Sequence, residues 1–299
     1  MRKFPFYWID AFANQKLGGN PCAVILNADS LSSDEMQKIA QEMNLSETAF
    51  VLHSDNRKFA ARYFTPQEEL PFAGHPTVAV AQALAQAGLL DFPSNLPIQI
   101  SLKLPAGLIP VEVRRDRDGS SQVQMSQLAP QFKRIYDPQQ ILPIYGLSVD
   151  DLLPGAVIQT VSTGSPVLMI PLKDHASLRK VKYMDGSAYD RLKAEGDFLF
   201  PHHFVLKGAT ENGATFARSL GTPPNTLEDP FTGSATGCMA AYLWKYGLIS
   251  KTRFVAEQGH WMGRPGCADV EVILENNQIQ SVLVTGTAQT IIEGSFSLD

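Results

Sequence analysis

Glu69-Leu70-Pro71-Phe72-Ala73-Gly74-His75-Pro76-Thr77 returns 159 positions later, without a gap, as Glu228-Asp229-Pro230-Phe231-Thr232-Gly233-Ser234-Ala235-Thr236. Over 69–89 and 228–248 the two copies share nine identities in 21 positions, among them Gly74/Gly233, Thr77/Thr236, Leu84/Leu243 and Gly88/Gly247. Upstream, Phe59-Ala60-Ala61-Arg62 before Thr65-Pro66 is echoed by Thr215-Phe216-Ala217-Arg218 before Thr222-Pro223, the second copy being three residues longer ahead of the helix. The chain reads as an internal duplication, each copy a strand, a turn and a helix. A Gly soon after a Pro, ahead of an Ala-rich run, marks a tight turn onto a helix N-terminus, where unpaired N–H groups and the macrodipole favour an anion. Two such ends suit one acidic substrate. Either motif alone also reads as plain punctuation that starts a core helix.

Length and composition fit this picture. The 299 residues suffice for two domains of about 150 residues. Hydrophobic content of 44% with 18% charged residues is that of a globular chain with a sizeable core. A net charge of −5, acidic and basic residues interspersed, offers no basic stripe for nucleic acid or anionic lipid, so a small-molecule partner is expected. Cys22, Cys238 and Cys267 are too few and too scattered for a disulfide framework, which points to the reducing cytoplasm. Pro5 and Asp10 interrupt the apolar stretch after Met1-Arg-Lys before it forms a signal-peptide core. The longest uncharged run, 155–172, is rich in Ser, Thr and Gln and reads as two strands around a turn, so no membrane span is expected.

The rest of the chain supplies the scaffold. Residues 6–12 and 22–26 flank Gly18-Gly19-Asn20-Pro21 in a hairpin-like opening. Ser32 with Glu35 forms a capping box, and Met36, Ile39, Ala40 and Met43 recur at helical spacing behind it. Strands are expected at 48–53, 59–65, 98–104, 108–114 and 121–127, the last two joined at Asp118-Gly119, with the first repeat helix at 76–87. Patterning weakens near Ala129-Pro130. Beyond it strands are expected at 157–162, 166–171, 198–206, 213–219, 252–258, 268–275, 278–285 and 288–294, and helices at 186–195 and 234–246. Strands and helices do not alternate regularly, so the class is α+β: a curved, mostly antiparallel sheet wrapped around one helix in each half. The cluster Arg114-Arg115-Asp116-Arg117-Asp118 alternates in sign at a turn and reads as solvated surface.

Few residues are placed for chemistry. Glu47, between the capped helix and an apolar strand, is either a cap or solvent-facing residue or, if sheltered, a carboxyl with its pKa raised toward neutrality and usable as a proton shuttle. His75, at a helix N-terminus, is either a structural hydrogen-bonding residue or a neutral donor and acceptor. Asp229 and Ser234 read as N-caps or as substrate contacts, capping being the commoner role. The dinucleotide fingerprint, the P-loop and the zinc-protease helix motif do not occur, and Thr232 stands where a nucleophile elbow needs its first glycine. The six histidines show no ligand spacing, so no metal site is expected.

Taken together, Ile9-Asp-Ala-Phe12, Gly19-Asn-Pro21, Asn44-Leu-Ser-Glu47, Phe64-Thr-Pro66, the two repeat motifs, Gln258-Gly259 and Gly263-Arg-Pro265 resemble the phenazine-biosynthesis F-type (PhzF-like) isomerase family of the diaminopimelate-epimerase-like superfamily. The resemblance runs across nearly the whole chain. It implies two similar domains, with the active site in the cleft between them and usually a homodimer; with the junction placed where the patterning weakens at Ala129-Pro130, the domains are 1–129, joined by the C-terminal strand 287–299, and 130–286. It also implies a mechanism without cofactor, in which Glu47 moves a proton between carbons of a small carboxylate-bearing substrate. His75, Asp229 and Ser234 would bind substrate and assist transfer, with Gly74, Pro76, Thr77, Gly233 and Ala235 as further substrate contacts. Related racemases place a thiol at each helix N-terminus; here Ala73 and Thr232 align with those positions, and Cys238 falls inside the second helix as a core residue. An amino-acid racemase or epimerase, and a non-catalytic small-ligand-binding protein on the same fold, are the alternatives.

Overall fold

The structure is a computed structural model that describes residues 1–55, 58–93, 96–184, 186–221 and 228–299. Thr222-Pro223, the end of the upstream echo, lie outside the described residues. The chain falls into two compact units, Met1–Ser126 with Thr285–Asp299, and Gln127–Val284.

In the first unit, Arg2–Ala11 and Asn20–Ile25 pair antiparallel, with Ala11 opposite Asn20. Gly19 makes this pairing possible: its φ is +55°, and a Cβ there would lie 2.2 Å from the Ala11 carbonyl oxygen. The helix Ser33–Met43 follows, its capping box formed as the spacing requires. Asn44, in the left-handed region, ends it. The strand Thr48–Asp55 then runs parallel to Asn20–Ile25, so strand, helix and strand make one crossover that leaves Glu47 at the start of the second strand. Lys58–Phe64 returns antiparallel, and the two-residue strand Glu69–Leu70 pairs with it. The first repeat helix is Gly74–Gln86, two residues longer at its start than the spacing suggested, because a proline is tolerated within a first turn whose N–H groups have no helical acceptor. Ile98–Leu104, Gly107–Arg115 and Ser121–Gln127 complete a meander, turned at Asp118-Gly119.

Helix Gly74–Gln86 is buried on every face from Gly74 to Ala85, a sequence apolar all round inside a wrapping sheet. It packs on Arg2–Ala11, Asn20–Ile25 and Thr48–Asp55. The final strand, Gln278–Leu298, is one element of 21 residues, where the sequence suggested two. Its last eleven positions pair antiparallel with Arg2–Ala11, from Ala11 opposite Ala288 to Arg2 opposite Leu298. Gly286, between the two strands expected at 278–285 and 288–294, is continuous strand: a Cβ there would lie 2.3 Å from the Phe12 ring, so the glycine admits an aromatic face.

In the second unit, Ile158–Ser162 and Pro166–Pro171 form the hairpin expected within 155–172. Gln131–Tyr136, unread in the sequence, flanks it antiparallel. Phe200–Val205 lies parallel to Pro166–Pro171, Thr215–Leu220 antiparallel to Phe200–Val205, Arg253–Gln258 parallel to Thr215–Leu220, and Gly266–Glu275 antiparallel to that. Helix Gly186–Glu195 has its expected bounds, while the short helices Pro138–Ile141 and His175–Lys180 were not anticipated. The second repeat helix, Gly233–Lys245, is buried over Ala235–Leu243 and packs on Ile158–Ser162, Pro166–Pro171 and Gly266–Glu275. Each unit is thus a mostly antiparallel sheet around a buried helix, and the class is α+β. No described helix is long and apolar enough to cross a membrane.

Candidate functional site

In the first unit three polar side chains meet where the strand–helix–strand crossover and the repeat helix bring their starts together. Asn20 opens one parallel strand, Glu47 immediately precedes the other, and His75 stands in the first turn of Gly74–Gln86. His75 Nδ1 lies 3.2 Å from Glu47 Oε2 and 3.2 Å from the Asn20 amide nitrogen. Asn20 is fully buried, His75 nearly so, and the Glu47 side chain keeps 18% of its surface exposed. Burial alone holds the imidazole down to about 3, so His75 is neutral at ordinary pH. Its Nε2 is buried with no hydrogen-bond partner among the described residues. Cys22 lies within electrostatic reach of Glu47, and burial first, then that carboxylate, push its thiol well up.

Both repeat helices start without a side-chain cap. Ala73 and Thr232 are the N-cap residues, and neither donates or accepts a capping bond with its side chain. The hydroxyls of Thr77 and Thr236, at matched positions, instead donate backwards to the Ala73 and Thr232 carbonyls at 2.9 and 3.0 Å. Thr77 is fully buried and also accepts from Tyr63 at 3.0 Å, so its hydroxyl holds the helix start together. Pro76 has no N–H to give. What each first turn offers is backbone N–H groups at the positive end of a helix dipole, on residues 74 and 75 in one unit and 233–235 in the other.

The turns leading into both helices are anchored alike. Arg62 binds Glu69 through two bonds of 2.7 and 2.6 Å, and Arg218 binds Glu228 through two of 2.9 and 2.7 Å. Asp229 pairs with Ser219 in the sheet, and its carboxylate accepts from the Thr232 hydroxyl. Neither Asp229 nor Ser234 is the N-cap; Ser234 is half-buried inside the first helical turn.

Asn20 in the first unit, and Gln127 and Gln258 in the second, hold the two helix starts by hydrogen bonds and were not singled out in the sequence as site residues. Gln258, 1% exposed, donates to the Asp229 carbonyl at 2.7 Å and to the Thr232 hydroxyl at 3.1 Å, and accepts from the Thr232 N–H at 3.2 Å. Gly259 beside it has φ +81°, and a Cβ would lie 2.5 Å from the Pro230 carbonyl oxygen. Gln127 donates to the Gly233 carbonyl at 2.8 Å and accepts from the Thr163 hydroxyl, which in turn lies 3.2 Å from the Cys238 sulfur. Their partners lie 26–106 positions away in sequence, beyond any local signal. The appearance of Gly19-Asn20-Pro21 and Gln258-Gly259 among the family-like motifs was the available clue.

Among the described residues the second unit has no counterpart to Glu47. The residue preceding the equivalent parallel strand, Phe200–Val205, is Leu199, which is 49% exposed. No thiol stands at either N-cap, and Cys238 is fully buried, its thiol pushed up to about 11 chiefly by desolvation. Among the described residues no cluster of three or more His, Cys, Asp or Glu side chains could hold a metal ion.

Comparison with known proteins agrees with this architecture. A chain from Clostridium acetobutylicum named as an uncharacterised isomerase is 34% identical, over 100% of both chains. The trans-2,3-dihydro-3-hydroxyanthranilate isomerase of Pseudomonas chlororaphis is 31% identical, over 97% of this chain and 98% of its own. The crystal structure of a PhzF-family phenazine biosynthesis protein from Bacillus anthracis superposes with a TM-score of 0.85 at 28% identity, covering 100% of each chain. The sequence profile of the phenazine biosynthesis-like proteins matches residues 9–294, and the chain belongs to that family.

Proposed function

We propose that this protein is an isomerase that needs no cofactor and moves a proton between two carbons of a small carboxylate-bearing substrate. The observation that carries the reading is the contact of Glu47 with a neutral, buried His75 at an uncapped helix N-terminus. Glu47 is the acid/base. It takes a proton from one carbon, the electron pair delocalises along the conjugated system, and the same carboxyl returns the proton to another carbon. Atoms and electrons balance without an oxidant or reductant. A positioned carboxylate contributes about 10²–10⁴-fold to such a step. His75, Asp229 and Ser234 bind the substrate and assist transfer, and the N–H groups around Gly74, Gly233 and Ala235 receive its carboxylate.

One base, rather than two, fits the asymmetry between the units: Glu47 in one, Leu199 at the equivalent place in the other. The absence of a thiol at Ala73 and Thr232 disfavours two-thiol racemisation. The name of the Pseudomonas chlororaphis relative suggests the substrate class, a dihydroaromatic amino acid.

Deuterium uptake from D₂O into a panel of small amino and hydroxy acids, trans-2,3-dihydro-3-hydroxyanthranilate included, tests the reading. Wild type is expected to exchange a carbon-bound proton of at least one member, and Glu47→Gln, still folded, to lose that exchange by at least about 100-fold. Full exchange in Glu47→Gln would refute the role of Glu47.

A further inference from the structure

The environment of His75 fixes more than its charge. A neutral imidazole carries one proton, on either Nδ1 or Nε2, and the hydrogen bond at one nitrogen decides the other. The Asn20 amide nitrogen, which can only donate, stands 3.2 Å from Nδ1. Asn20 has little freedom to leave: it is fully buried, held opposite Ala11 in the ladder, and preceded by a glycine that no other residue can replace without striking the Ala11 carbonyl.

We propose that Asn20 is a positioning residue that keeps the His75 lone pair on Nδ1 and its proton on Nε2, so that His75 meets the substrate as a neutral hydrogen-bond donor. Nε2 is the nitrogen without a partner among the described residues, and a buried donor left unmatched is costly until a ligand acceptor reaches it. The same lone pair faces Glu47 Oε2 at 3.2 Å. A protonated Glu47 can donate into it, whereas an ionised Glu47 would meet it lone pair to lone pair. The Asn20-selected tautomer therefore complements Glu47 in the half of the cycle when it carries the proton taken from substrate. The consequence for turnover rests on the isomerase reading above; the tautomer does not.

The test is nitrogen NMR on protein labelled with ¹⁵N in the histidine rings, the His75 signals being assigned by their loss in His75→Gln. Wild type at pH 7 is expected to show Nδ1 in the unprotonated and Nε2 in the protonated shift range. Asn20→Asp, whose carboxylate only accepts, is expected to move the proton to Nδ1, and Asn20→Leu to give both forms. A wild-type proton on Nδ1, or an Asn20→Leu spectrum identical to wild type, would overturn the proposal. With His75→Gln giving the assignment, the wild-type spectrum decides even if the Asn20 variants do not fold. In the D₂O assay, Asn20→Leu is expected to exchange at least about tenfold more slowly than wild type. If no panel substrate exchanges while the ring signals move as stated, the isomerase reading fails and the role of Asn20 stands.

Discussion

Arg218 grips Glu228 as a fork grips a bar: Nε to Oε1 at 2.9 Å, Nη2 to Oε2 at 2.7 Å, with Nη1 left to donate to the carbonyls of Leu178 and Val181. Asp229 is the next residue, so this clamp fixes where the second turn begins. Arg218→Lys keeps the charge but cannot make the planar two-point contact. It is expected to lower unfolding free energy by about 1–3 kcal/mol, with an unchanged urea slope. A variant as stable as wild type would show that the fork contributes nothing beyond charge.

Gly259 and Gly263 share a left-handed backbone, with φ of +81° and +74°, but differ in surroundings. A Cβ on Gly263 meets nothing within 4 Å, whereas on Gly259 it would lie 2.3 Å from the Arg264 carbonyl oxygen and 2.5 Å from that of Pro230. Gly263→Ala is expected to cost the backbone term alone, about 1 kcal/mol. Gly259→Ala is expected to cost at least about 2 kcal/mol more and, by displacing the turn that bears Asp229, to slow exchange. Chemical denaturation of both variants reads the difference.

Stability is expected to fall as pH drops from 6.5 toward 4.5. His75, His202 and His203 are buried in the folded state, where desolvation holds each down to about 3, while in the unfolded chain each titrates near 6.5. Between those values the unfolded chain binds more protons, so acid favours unfolding, by up to about 1.4 kcal/mol per pH unit for each histidine. Glu35 and Asp151, both lowered to about 2, add their losses only as pH falls from the ordinary carboxyl range toward 2, largely below the lowest pH measured. Equilibrium unfolding at pH 7, 6, 5 and 4.5 measures the slope. A flat profile would mean that the three rings are not buried neutral.

Gln127 and Gly237 depend on each other. A Cβ on Gly237 would lie 1.9 Å from Gln127 Oε1, so Gly237→Ala must expel the side chain that donates to the Gly233 carbonyl. Gln127→Ala and Gly237→Ala are each expected to destabilise the protein by about 1–2 kcal/mol. The double variant is expected to be more stable than the two losses added together, because the second change removes no further bond and alanine suits a helix better than glycine. Strict additivity in the cycle would contradict the arrangement.

The frame of this fold was legible because its signals are local. The capping box at Ser32 and Glu35, the helical spacing of Met36, Ile39 and Ala40, and the turn at Asp118-Gly119 each lie within a few residues. What escaped notice lacks such a signal. Gln131–Tyr136 is mostly exposed and carries no alternating apolar pattern, and His175–Lys180 is too short to show a period, its only cue being the Asp174 cap on the Ser177 N–H. The final strand was expected as two, 278–285 and 288–294; Gly286 lies between them, and a glycine in a strand marks a break or a close approach alike, which only the Phe12 ring decides. At the candidate site, Glu47 and His75 each read equally as structural residues, and the resemblance to the family was what set them apart. Asn20, 55 positions from His75, acquires its meaning only when the crossover brings it there.

The pairing of Arg2–Ala11 with residues 288–298 sets an order for synthesis on the ribosome. Arg2–Ala11 meets Asn20–Ile25 early, but its other edge stays unpaired until residues 288–298 are made, after the whole of Gln127–Val284. Until then the nascent first unit carries an open β-edge next to apolar Phe4, Phe6 and Ile9, a surface prone to pairing with other chains. The late closing of that edge makes exposure during elongation, and not only the packing of the finished fold, a factor in how much native protein forms.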